Sequence, residues 1–222
     1  MGASQSSLSA KALPLRVDLR MQSCFPYLLT EDQGDEVSCV SHAFGMAFYC
    51  ALKRQKATDF SSYPATSKIY ENAMREGGQT LKGTSFQAVQ KQFQTLYFSV
   101  LKHNRLAFYS LQNKARDVKR VLAGGFAVVV GYQVNSTIGR FHKEIAASKR
   151  HGYLLPSFSR DPVAISGHTV LLIGYDDAVS AFIARNSWGR DWGFDGHFLI
   201  LYRDIEDSSF FTDLVAIGSN DS

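Results

Sequence analysis

The hydrophobic pattern of this 222-residue chain changes its period along its length. In the first half, apolar residues recur at every third or fourth position, which is typical of helices packed on a core. In the second half, they form short β-branched and aromatic runs bounded by Gly, Asp and Ser, which is typical of strands. A helical half followed by a strand half predicts an α+β fold, in which a cleft between the halves is the expected place for a functional site.

The most apolar helix pattern begins near Ser38 and is apolar almost all round, so we expect a central buried helix there. Asp35 or Ser38 is expected to cap it. Further helices are predicted at about 64–76, at about 85–95 with Thr84 or Ser85 as the cap, and at about 114–123. Strands are predicted at 126–134, 168–175, 181–186, 197–202 and near 212–217. The stretch 135–166 is predicted to be a loop that either overhangs the cleft and sets specificity or is a plain surface insertion.

These elements are expected to form one domain over residues 14–222, after a flexible tail at 1–13. The helical half is expected to cover about 27–110. The β half, over about 111–222, is expected to be an antiparallel sheet or barrel.

The composition supports a folded chain and argues against several functions. Hydrophobic residues make up 45% of the sequence and aromatic residues 13%, which is enough for a sizeable core. The net charge of +4 comes from 24 basic and 20 acidic residues that are interspersed, so we expect no nucleic-acid partner. One basic cluster is interpreted as a solvated part of the 135–166 loop; it contains His142, Lys143, Lys149, Arg150 and His151. No apolar run reaches the ~18 residues that a membrane span requires.

The cysteines and the first residues bear on location. Cys24, Cys39 and Cys50 cannot all pair within one chain, and no secretory signal precedes them, so we expect a reducing, cytoplasmic compartment and no secretion. Gly2 followed by Ser6 fits the N-myristoylation pattern, which predicts weak membrane association. The alternative interpretation is a disordered Ser-rich tail.

Cys39 is the candidate nucleophile because it opens the predicted buried helix. Backbone N–H groups and the positive end of the helix dipole lower the pKa of a thiol at this position. Cys50 lies deep in the same helix and is predicted to be a core residue. Cys24 receives no role.

His168 and Asn186 are the candidate partners of Cys39. His168 begins one predicted strand and Asn186 ends the next, so a hairpin with a bulge or a slant is expected to bring them together. The Asn side chain then holds the imidazole tautomer that faces the thiol, and an ion pair between thiolate and imidazolium is expected. The alternatives are a hydrogen-bonded core histidine and a turn asparagine.

Several segments resemble the papain family of cysteine peptidases. DQGDEVSCVSHAF (32–44) is similar to the nucleophile segment of that family, GHTVLLIGYDD (167–177) to its histidine strand, and NSWGRDWGFDGHFLI (186–200) to its asparagine segment. VDLR (17–20) resembles the start of the mature enzymes. VKRVLAGGFAVVVGY (118–132) is similar to a compact branch found in bacteria, phages and large DNA viruses.

The resemblance implies a peptidase that hydrolyses peptide bonds through an acyl-thioenzyme, without a cofactor or a metal. Cys39 would be the nucleophile, His168 the general base and acid, and Asn186 the residue that orients it. Gln33 would donate its side-chain amide to the oxyanion hole, together with the Cys39 backbone N–H. Substrate-binding candidates are Gly83, Gly167 and Trp188, and Trp188 is also expected to shield the His–Asn hydrogen bond. A peptide or protein substrate and a monomeric state are expected.

The sequence departs from the family pattern next to the nucleophile. Val40 replaces the usual Trp, and Asp35, Glu36 and Val37 replace a Ser-Cys-Gly run. Val37 is expected to crowd the approach to the thiol, and the two carboxylates are expected to raise the pKa of Cys39. Because few residues precede VDLR, we also expect no inhibitory prosegment.

Other functions stay open from the sequence. The same Cys–His chemistry serves transglutaminase-like acyl transfer to an amine. A catalytically silent binding or virion-structural protein would keep the fold without turnover. A zinc site at Cys24, Cys39, His42 and Cys50 is the least favoured alternative, because no second short-spaced ligand pair accompanies Cys39 and His42.

Overall fold

The computed structural model describes residues 12–22, 31–57, 62–77, 83–112, 114–146, 153–157 and 163–219. The α-helices are α1 (Cys39–Arg54), α2 (Thr66–Gly77), α3 (Phe86–Leu96), α4 (Phe98–His103), α5 (Ala115–Ala123), α6 (Ser136–Ala146) and α7 (Tyr202–Ile205). The strands are β1 (Arg16–Asp18), β2 (Leu106–Ser110), β3 (Val128–Val134), β4 (Ser166–Asp176), β5 (Ala181–Arg185), β6 (His197–Leu201) and β7 (Phe211–Ser219).

The strands form one open antiparallel sheet in the order β2-β7-β3-β4-β5-β6, and β1 pairs with β4. The central strand β3 is almost entirely buried, because helices α1, α5 and α6 pack against it. The predicted α+β class is confirmed, and the described sheet is open rather than closed into a barrel.

Helix α1 is the buried central helix that the sequence predicts. It packs against β3, β4 and β7, and its aromatic residues join an aromatic cluster of the helical half. The rings of Phe44 and Phe86 meet edge to face at 5.2 Å, and Phe48 contacts Phe93 at 5.3 Å. The predicted side-chain cap is wrong, because Ser38 occupies the N-cap position without a side-chain cap hydrogen bond. The structure thus confirms the helix and corrects how its start is held.

Most other predicted elements are confirmed within a few residues. Helix α3 is capped by Ser85, whose Oγ accepts a hydrogen bond from the backbone N–H of Ala88 at 3.2 Å. The hairpin of β4 and β5 contains the expected irregularity, since its register shifts between Leu172 and Gly174. Cys50 is buried in α1, as predicted for a core residue.

The prediction of a loop over 135–166 is wrong for its first part, which forms α6. The Oδ1 of Asn135 accepts a hydrogen bond from the N–H of Ile138 at 2.8 Å, and this contact starts the helix. Ile138, His142 and Ile145 form a buried face. His142 is therefore a core residue and not part of a solvated basic cluster. Strand β2 and helix α4 were also absent from the predicted elements, and β2 pairs with β7 at the sheet edge.

Several sequence predictions fall on residues outside the described ranges, namely those for Gly2, Cys24, Lys149, Arg150 and His151. Within the described ranges, no helix has both the length and the hydrophobicity that crossing a membrane requires. The same ranges contain no group of three or more His, Cys, Asp and Glu side chains placed to hold a metal ion.

Candidate active site

Cys39 and His168 line the same pocket, in which the space available to the centre of a water molecule is about 180 Å³. Cys39 is the first residue of α1, and His168 is the third residue of β4, so the pocket joins the start of the central helix to the sheet. Its described lining residues include Gly83, Gly167 and Asp213. The structure therefore brings both predicted substrate-binding glycines into the pocket of the candidate nucleophile.

The predicted contact between His168 and Asn186 is present in the structure. The Nε2 of His168 donates a hydrogen bond to Oδ1 of Asn186 at 2.8 Å, and both residues are buried. The same oxygen accepts the backbone N–H of Ser187 at 2.9 Å, which fixes the amide plane. Because Nε2 is engaged with Asn186, Nδ1 is the ring nitrogen that remains for proton transfer.

Burial raises the pKa of the Cys39 thiol above its ordinary value, although Cys39 lies at a helix start. Hydrogen bonds from Thr169 and from the backbone N–H groups of Val40 and Cys39 act in the opposite direction, with a smaller effect. The net direction is opposite to the one that the helix position predicts. Since Thr169 follows His168, these hydrogen bonds also place the thiol beside the strand that carries the imidazole.

Burial also lowers the pKa of His168 to about 4, and the hydrogen bond with Asn186 opposes this shift only in part. Burial disfavours the charged form of both groups. Each shift opposes the ion pair that the sequence predicts, and the ion pair itself stays a prediction.

Aromatic rings enclose the imidazole of His168. The indole of Trp188 lies over it, with ring centroids 4.6 Å apart and an interplanar angle of 30°. Tyr132 and His142 meet it edge to face at 5.7 Å and 5.5 Å. The hydroxyl of Tyr132 is 3.0 Å from Nε2 of His142. Trp188 is not among the described residues that line the Cys39 pocket, and its ring contact with His168 fits the predicted shielding role.

Gln33 is held against the segment that follows Asn186. Its backbone N–H donates to the carbonyl of Ser187 at 2.8 Å, and its Oε1 accepts a hydrogen bond from Ser187 Oγ. Its Nε2 donates to the carbonyl of Glu36. A side-chain amide nitrogen carries two hydrogens, so one N–H of Gln33 is not used in this contact. Gln33 is not among the described residues that line the Cys39 pocket. This network connects the oxyanion candidate to the residue next to Asn186.

Two of the departures from the family pattern, Val37 and Val40, line the pocket. Val37 is 50% exposed and lines it. A Cβ on Gly83 would lie 3.0 Å from the carbonyl oxygen of Val37, and the φ of Gly83 is +93°. Only glycine fits this close approach without strain. Asp35 and Glu36 are exposed, and neither is among the causes of the raised Cys39 pKa.

Tyr132, His142 and Asp213 are site residues that sequence reasoning missed. Tyr132 pairs with His168 in the register of β3 and β4, so the two predicted strands contained this signal once their adjacency was known. His142 lies in the stretch that the sequence predicts to be a loop. Asp213 lies in the last strand, and the sequence holds no sign that this strand reaches the pocket.

A buried Cys–His–Asn arrangement at a cleft between a helix and a sheet is typical of cysteine proteases. The sequence matches the papain family of cysteine proteases over residues 19–213, and the chain belongs to this family. It is therefore a papain-like hydrolase of peptide bonds, as the sequence resemblance implies.

Known proteins similar to this chain come from viruses, bacteria and eukaryotes. A peptidase C1-like protein of Acanthamoeba polyphaga mimivirus is 25% identical over 231 residues, which cover 88% of this chain and 72% of that protein. A cathepsin B-like protein of Giardia intestinalis is 50% identical over 46 residues, which cover 19% of this chain and 15% of that protein.

Solved structures show the same fold. Xylellain, a cysteine protease from Xylella fastidiosa, has a TM-score of 0.74 and 22% identity, and the match covers 94% of this chain and 87% of that chain. The bromelain protease from Ananas comosus has a TM-score of 0.67 and 13% identity, with 94% of this chain and 100% of that chain covered.

Proposed function

We propose that the chain cleaves peptide bonds with Cys39 as nucleophile, His168 as general base and acid, and Asn186 as the residue that orients His168. The observation that carries this assignment is the hydrogen bond between Asn186 and His168, because His168 lines the same pocket as Cys39. The bond occupies Nε2 and leaves Nδ1 for the thiol. The family supplies the class of reaction, and this geometry supports the proposed roles.

Because burial disfavours the charged forms of Cys39 and His168, the proposed mechanism has proton transfer accompany the attack of the thiol. Nδ1 of His168 accepts the thiol proton as Sγ bonds to the substrate carbonyl carbon. The C–N bond then breaks, the amine leaves with the proton from His168, and an acyl-thioenzyme remains. Water next gives a proton to His168 and attacks the thioester carbon. The C–S bond breaks, the acid product leaves, and the thiol regains its proton.

The negative charge that develops on the substrate oxygen requires donors that are already in place. Gln33 is proposed as one donor through its remaining side-chain N–H, and the backbone N–H of Cys39 as the other. The contacts of Gln33 with Ser187 and Glu36 hold its amide, so little reorganisation is needed during the reaction.

Labelling by a thiol-directed epoxide or chloromethyl ketone tests the nucleophile. The unsubstituted protein is expected to be labelled at Cys39, and Cys39→Ala is expected to lose both labelling and peptide cleavage. Cys50→Ala is the matched control, because Cys50 is a buried cysteine of the same helix outside the pocket lining. Equal labelling of the unsubstituted protein and Cys39→Ala would refute the assignment.

The lining of the Cys39 pocket also supports a class of substrate. Among its described lining residues, Asp213 alone carries a carboxylate, and no Lys or Arg accompanies it. A substrate with a Lys or Arg side chain in this pocket would pair with that carboxylate, whereas an acidic side chain would be repelled. We therefore propose that the protein prefers substrates with a Lys or Arg side chain in this pocket.

Myristoylation of Gly2, membrane association and a reducing location stay predictions from the sequence. Gly2 lies outside the described residues. Mass spectrometry of the protein expressed with an N-myristoyltransferase tests the modification.

A further inference from the structure

A second group of buried polar residues lies on the other side of Asn186 from His168. Nδ1 of His42, in α1, is 2.8 Å from Oε2 of Glu31. Glu31 belongs to the segment that pairs with residues 187–189, since its carbonyl accepts the N–H of Gly189 at 2.9 Å. The Glu31–His42 contact therefore ties the central helix to the segment that follows Asn186.

A small cavity separates this pair from Asn186. Its polar lining residues are Glu31, His42, Thr169, Arg185, Asn186 and Ser187. The space that the centre of a water molecule can occupy is about 20 Å³. About 10–15 Å³ of such space holds one water, which needs two to four polar partners. The cavity is therefore large enough for one water and is lined for it.

Two buried atoms among the lining residues lack a hydrogen-bond partner, namely Nε2 of His42 and Nδ2 of Asn186. Their chemistry is complementary. Nδ2 of Asn186 can only donate. Since the Glu31 carboxylate can only accept, Nδ1 of His42 is the donor in that contact. In the tautomer that carries its one ring hydrogen on Nδ1, Nε2 has a free lone pair and accepts. One water that accepts from Asn186 and donates to His42 satisfies both atoms.

Two side chains that line the cavity, Glu31 and Arg185, carry opposite charges. Arg185 lines the cavity and lies within Coulombic range of the Glu31 carboxylate. That carboxylate also contributes to raising the pKa of the partly buried Tyr63 well above its ordinary value, after the larger effect of burial. The positive charge of Arg185 therefore offsets the negative charge of Glu31 beside this cavity.

We propose that Glu31 and His42 are positioning residues that, through one water in this cavity, hold the Asn186 amide with its oxygen towards His168. If the amide were reversed, Nδ2 would face the N–H of His168, and two donors would oppose each other. An acceptor on the cavity side attracts Nδ2, while His168 and Ser187 donate to Oδ1 on the other side. This inference rests on the proposed role of Asn186.

The test compares variants of the full chain in steady-state peptide cleavage. His42→Phe removes the acceptor, and kcat is expected to fall about tenfold with KM within about twofold, because a looser Asn186 affects the reaction more than substrate binding. His42→Gln keeps an amide that can accept from the water, and it is expected to recover most of kcat. Met46→Leu is the matched control, since Met46 lines the same cavity without a role in the hydrogen bonds.

A double-mutant cycle separates positioning from a merely structural role. In an Asn186→Ala background, His42→Phe is expected to cause no further loss of kcat, because the amide it holds is gone. If His42→Phe does not fold, Glu31→Gln takes its place in the cycle, both in the unsubstituted protein and in the Asn186→Ala variant. Additive losses in the cycle, or an unchanged kcat in both His42→Phe and Glu31→Gln, would overturn the inference. Inactivity of the unsubstituted protein, or full activity of Cys39→Ala, would instead refute the proposed function.

Discussion

Nε2 of His168 donates a hydrogen bond to Oδ1 of Asn186 across 2.8 Å, beneath the indole of Trp188. The bond joins β4 to the end of β5 and depends on the register shift between Leu172 and Gly174. A side chain at the end of one strand thereby sets which imidazole nitrogen faces the pocket. The chemistry proposed for Cys39 depends on this contact.

Asn186→Ala tests that contact directly. We expect kcat for peptide cleavage to fall at least about tenfold while KM changes little, because a free imidazole spends less time with Nδ1 towards the thiol. Steady-state kinetics on a fluorogenic peptide measures both constants. Thermal unfolding of the variant provides the control for folding, and an unchanged kcat in a folded variant would contradict the orienting role.

The acid side of the pH–rate profile tests the state of His168. Burial lowers the pKa of His168 to about 4, so the imidazole is neutral and able to accept a proton at all pH values above this range. We expect kcat/KM to fall with decreasing pH around a midpoint near 4 rather than near 6.5. Circular dichroism at each pH shows whether the protein is still folded. A midpoint near 6.5 in folded protein would show that the free enzyme holds a more exposed or charge-stabilised imidazole.

The sequence allows the two-part fold and the candidate Cys39, His168 and Asn186 to be predicted, because hydrophobic period and residue spacing are local properties. Helix α6 escaped prediction because His142 and Lys143 were interpreted as part of a solvated basic loop, whereas His142 lies on the buried face of the helix. The direction of the Cys39 pKa shift also escaped prediction. A helix start lowers the pKa of a thiol, but the degree of burial depends on tertiary packing, and here burial is the larger effect.

Three buried histidines are expected to make the fold sensitive to acid. Burial lowers the pKa of His142 and His197 to about 3 and that of His168 to about 4. The unfolded chain binds protons at these side chains near pH 6.5, and the folded protein binds them only at lower pH. The contribution of these histidines to the free energy of unfolding is therefore fully present above about pH 6.5 and is lost as pH falls towards 3–4.

His197→Gln tests this dependence outside the proposed active site. A tenfold difference in proton affinity between the folded and unfolded chains corresponds to about 1.4 kcal/mol, so removing one such histidine is expected to reduce the loss of stability between pH 7 and 4 by roughly 3 kcal/mol. Urea unfolding at several pH values gives the free energies. The same change at the exposed His103 is the matched control. An identical pH dependence in His197→Gln and the unsubstituted protein would show that His197 does not contribute.

Asp213→Asn tests the proposed substrate class. Asp213 lines the pocket beside Cys39 and is only partly buried, so its attraction for a cation is weakened by water but not abolished. In a positional-scanning peptide library, the unsubstituted protein is expected to favour Lys or Arg at one position. The variant is expected to lose about fivefold to tenfold in kcat/KM for those peptides, with little change for peptides carrying Leu there. Asp117→Asn removes the same charge from α5 outside the pocket lining and should leave the preference intact. If the unsubstituted protein shows no preference for a basic side chain, or if both variants keep it, the pocket carboxylate does not select the substrate.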